Sequence, residues 1–178
     1  MMESSRDGNL MLSVAQGDLD AFGEIVRRHE RTAWSIAYRF LGDSAEAEDI
    51  AQQAFLKILE AASGYRPTAA FRTYLHRVVT RLCIDHAKKK RPIYTNTLPE
   101  TQDHSTDLVQ SLAMKERGAT IRKALDTLPP NQRLALILRH YEEMSYVDIA
   151  QSLNISVKAV EGLIRRARTT LKTRLSSF

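Results

Sequence analysis

The sequence predicts an all-α protein: two small helical domains joined by a flexible linker, the second containing a helix-turn-helix. Three observations carry this. Apolar residues recur at three- and four-residue steps and nowhere alternate, which is helical and not strand periodicity. A polar stretch after Pro92, rich in Thr, Asp, Ser, Asn and Gln, divides the chain. From Met144 to Leu171, caps, a turn-former and apolar positions are spaced as two crossing helices require. The expected boundaries are 1–92 for the first domain, 93–111 for the linker and 112–178 for the second domain. With 178 residues in all, each domain is near the lower size limit for a self-sufficient core.

Composition narrows the class. Hydrophobic content of 43% and charged content of 26% are those of an ordinary soluble chain. A formal charge of +5 favours a polyanionic partner. One cysteine, Cys83, excludes an internal disulfide and suits a reducing compartment. The opening MMESSRDGNL has neither the basic nor the apolar region of a secretion signal, and no apolar run is long enough to span a bilayer. A cytoplasmic location without membrane insertion is expected.

In the first half, Leu10 to Gln16 reads as a short helix stopped by Gly17, with Asp18 capping the next. Phe22, Ile25, Val26, His29, Ala33, Ile36, Ala37, Phe40 and Leu41 then form one face of a long amphipathic helix that Gly42 ends. Asp43 and Glu46 make a capping-box pattern for a third helix to about Ala62, buried through Ala47, Ile50, Ala51, Ala54, Phe55, Ile58 and Leu59. Its other face carries Glu46, Asp49, Gln52, Gln53, Leu56 and Glu60, either a solvated face with one exposed leucine or an anchor for a partner with a basic surface. SGYRPT, 63–68, is a loop, and Thr68 can cap the helix that follows. The fourth helix, Ala69 to about Lys89, is buried through Phe71, Leu75, Val78, Val79, Leu82 and Cys83. Arg72, His76, Arg77, Arg81, Lys88, Lys89, Lys90 and Arg91 are expected on its exposed side, with Tyr65 and Tyr74 interleaved. Cations mixed with stacking rings point to single-stranded or melted nucleic acid.

In the second half, Ile121, Leu125 and Leu128 precede Pro129 and Pro130. The next helix is expected to put Leu134, Ile137, Leu138 and Tyr141 in its core. Ser145 should cap the first helix of the helix-turn-helix, with Val147, Ile149, Ala150 and Leu153 toward the core. Asn154 should make the turn in a left-handed conformation, and Ala150 should let the helices cross closely. Ser156 caps the second helix, whose inner face is Val160, Leu163, Ile164, Ala167 and Leu171, and whose outer face is charged.

Two rival classes fit less well. A dimeric helix-turn-helix repressor or activator would bind a palindrome alone, leaving the third and fourth helix faces unexplained. A helical-bundle metalloenzyme would need a ligand set. Glu46, Glu48 and Asp49 lack a Glu-x-x-His partner, and His29, His76, His86, His104 and His140 are scattered, with Cys83-x-x-His86 a lone pair. No catalytic residue, metal or cofactor is expected.

Four segments in order resemble one family, the extracytoplasmic-function RNA polymerase sigma factors. These are AQGDLDAFGEIVRRH, AEAEDIAQQAFLKIL, FRTYLHRVVTRLCIDHAKKKR, and LDTLPPNQRLALILRHYEEMSYVDIA continuing into the helix-turn-helix. The resemblance covers nearly the whole chain. It implies a factor that binds core RNA polymerase and directs it to promoters, with region 2 in the first domain and region 4 in the second. By resemblance, Asp49, Gln52, Gln53 and Leu56 contact the coiled coil of the polymerase beta-prime subunit, and the beta flap is a further partner. Tyr65, Arg66, Arg72, Tyr74, His76, Arg77, Arg81, Lys88 and Lys89 hold the -10 element, with one base extruded near the SGYRPT loop. Ser156, Lys158, Ala159, Glu161, Gly162, Arg165, Arg166, Arg168 and Lys172 meet the -35 element. An anti-sigma factor is an expected regulator. Departures from the family are Gln53 for a glutamate, Tyr74 for a tryptophan, Arg81 for an asparagine, and Glu161-Gly162-Leu163 for Lys-Ser-Arg. Glu161 is either a reader of cytosine N4 or an intrahelical partner of Arg165.

Overall fold

The computed structural model describes residues 2–89 and 121–175. The expected linker, the start of the second domain near Leu112, and Lys90 and Arg91 lie outside the described residues. All regular elements within them are helical. The first lobe comprises α1 (Met2–Ala15), α2 (Leu19–Leu41), α3 (Ser44–Glu60), a 3-10 turn (Ala62–Gly64) and α4 (Phe71–Lys89). In the second lobe a helical stretch at 121–126 leads into α5 (Pro130–His140), α6 (Tyr146–Leu153) and α7 (Val157–Leu175). No helix among the described residues is long and apolar enough to cross a membrane.

Local chemistry sets the boundaries. Asp18 and Asp43 each accept a hydrogen bond at 2.9 Å from the backbone N–H three residues on, Ala21 and Glu46. Gly42 adopts φ 83°, where its N–H closes on the Tyr38 carbonyl and ends α2. Ser145 accepts from the Asp148 N–H at 3.1 Å and Ser156 from that of Ala159 at 3.2 Å. Between these caps Asn154 is left-handed at φ 54°, ψ 49°, as the sequence predicts for the turn. Ala150 is buried, and its carbonyl accepts from the Ile155 N–H at 3.0 Å, so the turn is drawn onto α6.

Several expectations are corrected. The first helix starts at Met2 and not Leu10, because Asp7 on it is buried and accepts hydrogen bonds from Arg28 and His29 of α2. Thr68 does not cap α4, which starts at Phe71. Tyr141 and Val147 are exposed rather than in the core. Tyr141 ends α5 and lies under the Arg39 guanidinium, 4.3 Å from its ring centre, at the seam between the lobes.

The lobes pack against each other. Arg133 of α5 donates to the Phe40 carbonyl at 2.8 Å, and to the carbonyl and carboxylate of Asp126, each at 2.9 Å. Arg122 donates to the Gly42 carbonyl and stacks over Tyr38. At the other end α6 lies against α4, where the Thr80 hydroxyl is 3.4 Å from the Ser152 carbonyl.

Candidate nucleic-acid interface

On α7 the inner residues Val160, Ile164 and Ala167 are buried, which turns the opposite face to solvent. Lys158, Ala159, Glu161, Arg165, Arg166 and Lys172 are exposed there, and Gly162 is half-buried. Ser156 is exposed just before the helix, and Arg168, though exposed, borders a groove with Leu125, Leu136 and Tyr141 at the edge of the inner face. A Cβ at Gly162 would sit 3.3 Å from an Arg166 nitrogen, so glycine leaves the space that the Arg166 side chain uses. Glu161 makes no hydrogen bond or ion pair with Arg165 or any other described residue. The intrahelical alternative for Glu161 therefore has no support in the geometry, and its carboxylate stands free among cations.

The second surface is the exposed side of α4 and the loop before it. Arg66, Arg72, Arg77, Arg81, Lys88 and Lys89 are exposed there as the sequence predicts. A cavity of about 930 Å³ opens beside them, lined by Tyr65, Arg66, Tyr74 and Arg77 among others. Its aromatic floor is built in steps. The His29 ring, fixed by Asp7 at 2.9 Å, lies 5.0 Å from Phe71, which meets Tyr74 at 6.2 Å, which meets Tyr65 at 5.6 Å. Burial pushes both tyrosine phenols above their usual range, so they are neutral hydrogen-bonding groups at physiological pH. The Tyr65 hydroxyl is buried without a hydrogen-bond partner among the described residues. Neutral stacking rings flanked by guanidinium groups suit an extruded base and its phosphates.

His76 does not belong to the exposed stripe. It is fully buried, because α6 and the loop before it cover that part of α4. The covering group is Glu142, which the sequence did not single out. Its carboxylate accepts from Arg72 at 2.9 Å, and the same oxygen lies 3.5 Å from His76 Nε2. Burial raises the Glu142 carboxyl, but the neighbouring His76 and Arg72 outweigh this and hold it below the usual carboxylate range. Gln151 and Asn154 of the second lobe also close one side of the tyrosine cavity.

A third surface lies on α3. Asp49, Gln52, Gln53 and Leu56 are all exposed, and the Leu56 side chain borders a groove of about 710 Å³ between α2 and α3. Phe22, Val26 and Trp34 of α2 and Phe55 of α3 line it. Phe22 and Val26, core positions by their spacing, are only half-buried, and Trp34, which that spacing omits, joins them at the groove. A half-buried ring at the edge of an amphipathic stripe gives the same periodicity as a buried one. Glu46 turns away from this face toward His86, at 3.4 Å.

Among the described residues, Cys83 and His86 belong to no group of three or more His, Cys, Asp and Glu side chains that could hold a metal ion. Cys83 is fully buried, and burial pushes its thiol up to about 12. Iodoacetamide at pH 8 is expected to leave Cys83 unmodified in the folded protein and to alkylate it in denaturant, as read by mass spectrometry. Rapid native alkylation would contradict the buried position.

Known proteins match both lobes. Residues 25–93 match Sigma-70 region 2 and residues 119–171 match Sigma-70, region 4. The ECF RNA polymerase sigma factor SigW of Bacillus subtilis is 33% identical, with 91% of this chain and 92% of that one covered. The RNA polymerase sigma-H factor of Pseudomonas aeruginosa is 31% identical, with 96% and 94% covered. The ECF RNA polymerase sigma factor SigE of Mycolicibacterium smegmatis is longer, and this chain spans 64% of its length at 31% identity. Among solved structures, CnrH in complex with the cytosolic domain of CnrY superposes with a TM-score of 0.73 at 28% identity, covering 97% of this chain and 98% of that one. The two matched regions, with SigW and sigma-H each aligned over at least 91% of both chains, place the chain in a family: it belongs to the extracytoplasmic-function RNA polymerase sigma factors.

Proposed function

We propose that this sigma factor is a non-enzymatic initiation factor of the cytoplasm that holds core RNA polymerase through α3 and the α2–α3 groove, and reads a promoter with two separate lobes. The observation that supports this best is the division of labour on one chain: a basic helix with an exposed outer face on the second lobe, and a cationic face with an aromatic cavity on the first. Asp49, Gln52, Gln53 and Leu56 meet the beta-prime coiled coil, and the second lobe meets the beta flap. Tyr65, Arg66, Arg72, Tyr74, Arg77, Arg81, Lys88 and Lys89 serve the -10 element, joined by His76 once the second lobe no longer covers it. Ser156, Lys158, Ala159, Glu161, Gly162, Arg165, Arg166, Arg168 and Lys172 serve the -35 element. Each half-site is weak, and polymerase raises the effective concentration of the second once the first is bound. A protein partner that blocks these surfaces is an anti-sigma factor, the kind of partner that the sigma factor RpoE holds in its solved complex with the anti-sigma factor NepR from Bartonella quintana.

The test is transcription from genomic templates by core polymerase with and without the purified protein. Stimulation at a discrete promoter set is expected. No stimulation, combined with tight binding of a palindrome by the protein as a dimer, would favour the conventional repressor or activator instead.

The free carboxylate of Glu161 supports a role in base choice. Acceptance from cytosine N4 would make Glu161→Gln relax or redirect preference at one -35 position by about 1–3 kcal/mol, with other positions unchanged. An unaltered preference profile in a randomised -35 library would remove Glu161 from the set of base readers.

A further inference from the structure

We infer that Glu142 is an internal latch: it occupies, in place of a DNA phosphate, the cationic part of α4 assigned above to the -10 element, and so holds the free chain closed. This rests on that assignment and adds the regulation of the same surface. The carboxylate comes from the second lobe, from the turn between α5 and α6, and its side chain is 7% exposed. It receives the Arg72 guanidinium at 2.9 Å and lies 3.5 Å from the buried His76 ring, neither of whose nitrogens has a hydrogen-bond partner among the described residues.

An anion seated between an arginine and a histidine has the charge and acceptor geometry of a phosphate oxygen. Strand and carboxylate therefore compete for one place. The turn is built to hold the carboxylate there. Glu143, next in the chain, takes φ 53°, a left-handed conformation that disfavours a side-chain-bearing residue. Arg139 donates to the Met144 carbonyl at 2.8 Å, and the Met144 N–H reaches the Leu138 carbonyl at 3.1 Å, so the turn is tied back onto α5. With Glu142 seated, α6 lies on α4, and Gln151 and Asn154 wall one side of the Tyr65–Tyr74 cavity. A strand cannot lie along α4 until the lobes part. Polymerase, by gripping each lobe at its own position, supplies the opening force.

The experiment compares full-length wild type, Glu142→Gln and Glu143→Gln. Glu143→Gln removes an equal charge one residue away, from an exposed side chain outside the latch. The probe is a fluorescein-labelled, mixed-sequence single-stranded DNA of about 12 nucleotides, a length suited to one binding face. If the closed form holds about nine molecules in ten, releasing it strengthens apparent binding about tenfold.

The expected result is that gain for Glu142→Gln, a larger radius of gyration in solution scattering, and little change for Glu143→Gln. Glu142→Asp, which keeps the charge but shortens the reach, should fall between, and serves if Glu142→Gln does not fold. Equal binding by all variants overturns the latch. So does a gain shared equally by Glu143→Gln, or a gain without expansion, since either is a simple charge effect. Polymerase-bound wild type and Glu142→Gln should transcribe alike, because the lobes are already apart. If neither supports transcription, the sigma-factor surfaces are misassigned, while the scattering result still reports on the latch by itself.

Discussion

Replacing Leu56 by arginine is expected to weaken association with core RNA polymerase by at least about thirtyfold, or roughly 2 kcal/mol, while leaving the fold intact. Leu56 is 58% exposed, so little native packing is lost, and a surface change of this kind ordinarily alters stability by less than about 0.5 kcal/mol. The loss comes from the partner side. Leu56 stands at the rim of the groove formed by Phe22, Trp34 and Phe55, with Asp49, Gln52 and Gln53 on the same helix. A partner that fills this groove and matches its acid and amides would meet a buried, unpaired cation in place of a methyl contact. Trp34→Ala should weaken the same association from the α2 side. Native gel shift or surface plasmon resonance with core enzyme measures both. Unchanged binding by Leu56→Arg, with urea unfolding unchanged, would move the polymerase contact elsewhere.

Much of this architecture is legible in the sequence because the signals are local. Asp18, Asp43, Ser145 and Ser156 cap the helices they precede, and Gly42 and Asn154 end the ones they follow. These are interactions across three or four residues, which a linear pattern records. What the sequence hid lies across long separations. Tyr141 has the spacing of a core residue, yet stacks against Arg39, and His76 sits among exposed arginines, yet is covered by a loop from the other lobe. Arg133, which no local pattern marks, ties α5 to the end of α2. Periodicity places a residue on a helix face without naming what covers that face. Lobe packing decides that, and Glu142, an ordinary acid in sequence, gains its role only there.

Phe71→Ala is expected to cost the first lobe about 3–5 kcal/mol, the usual loss for truncating a buried phenylalanine. Phe71 is 1% exposed at the first turn of α4. A domain of this size has roughly 5–15 kcal/mol of stability in total, so a large part of it goes. Urea unfolding followed by circular dichroism should show the midpoint falling sharply. The same ring supports the candidate -10 cavity, since it stands between His29 and Tyr74 at 5.0 and 6.2 Å, and Tyr74 in turn meets Tyr65. Phe71→Leu separates the two roles. It keeps most of the buried volume but removes ring contacts worth about 0.5–1.5 kcal/mol per pair. That variant should fold and bind polymerase, yet open promoter DNA less well, as read by permanganate reactivity of unpaired thymines. Normal opening by Phe71→Leu would mean that Tyr65 and Tyr74 hold their places without the ring beneath them. The cavity would then rest on the backbone of the 63–70 loop, and α1 and His29 would matter to stability alone.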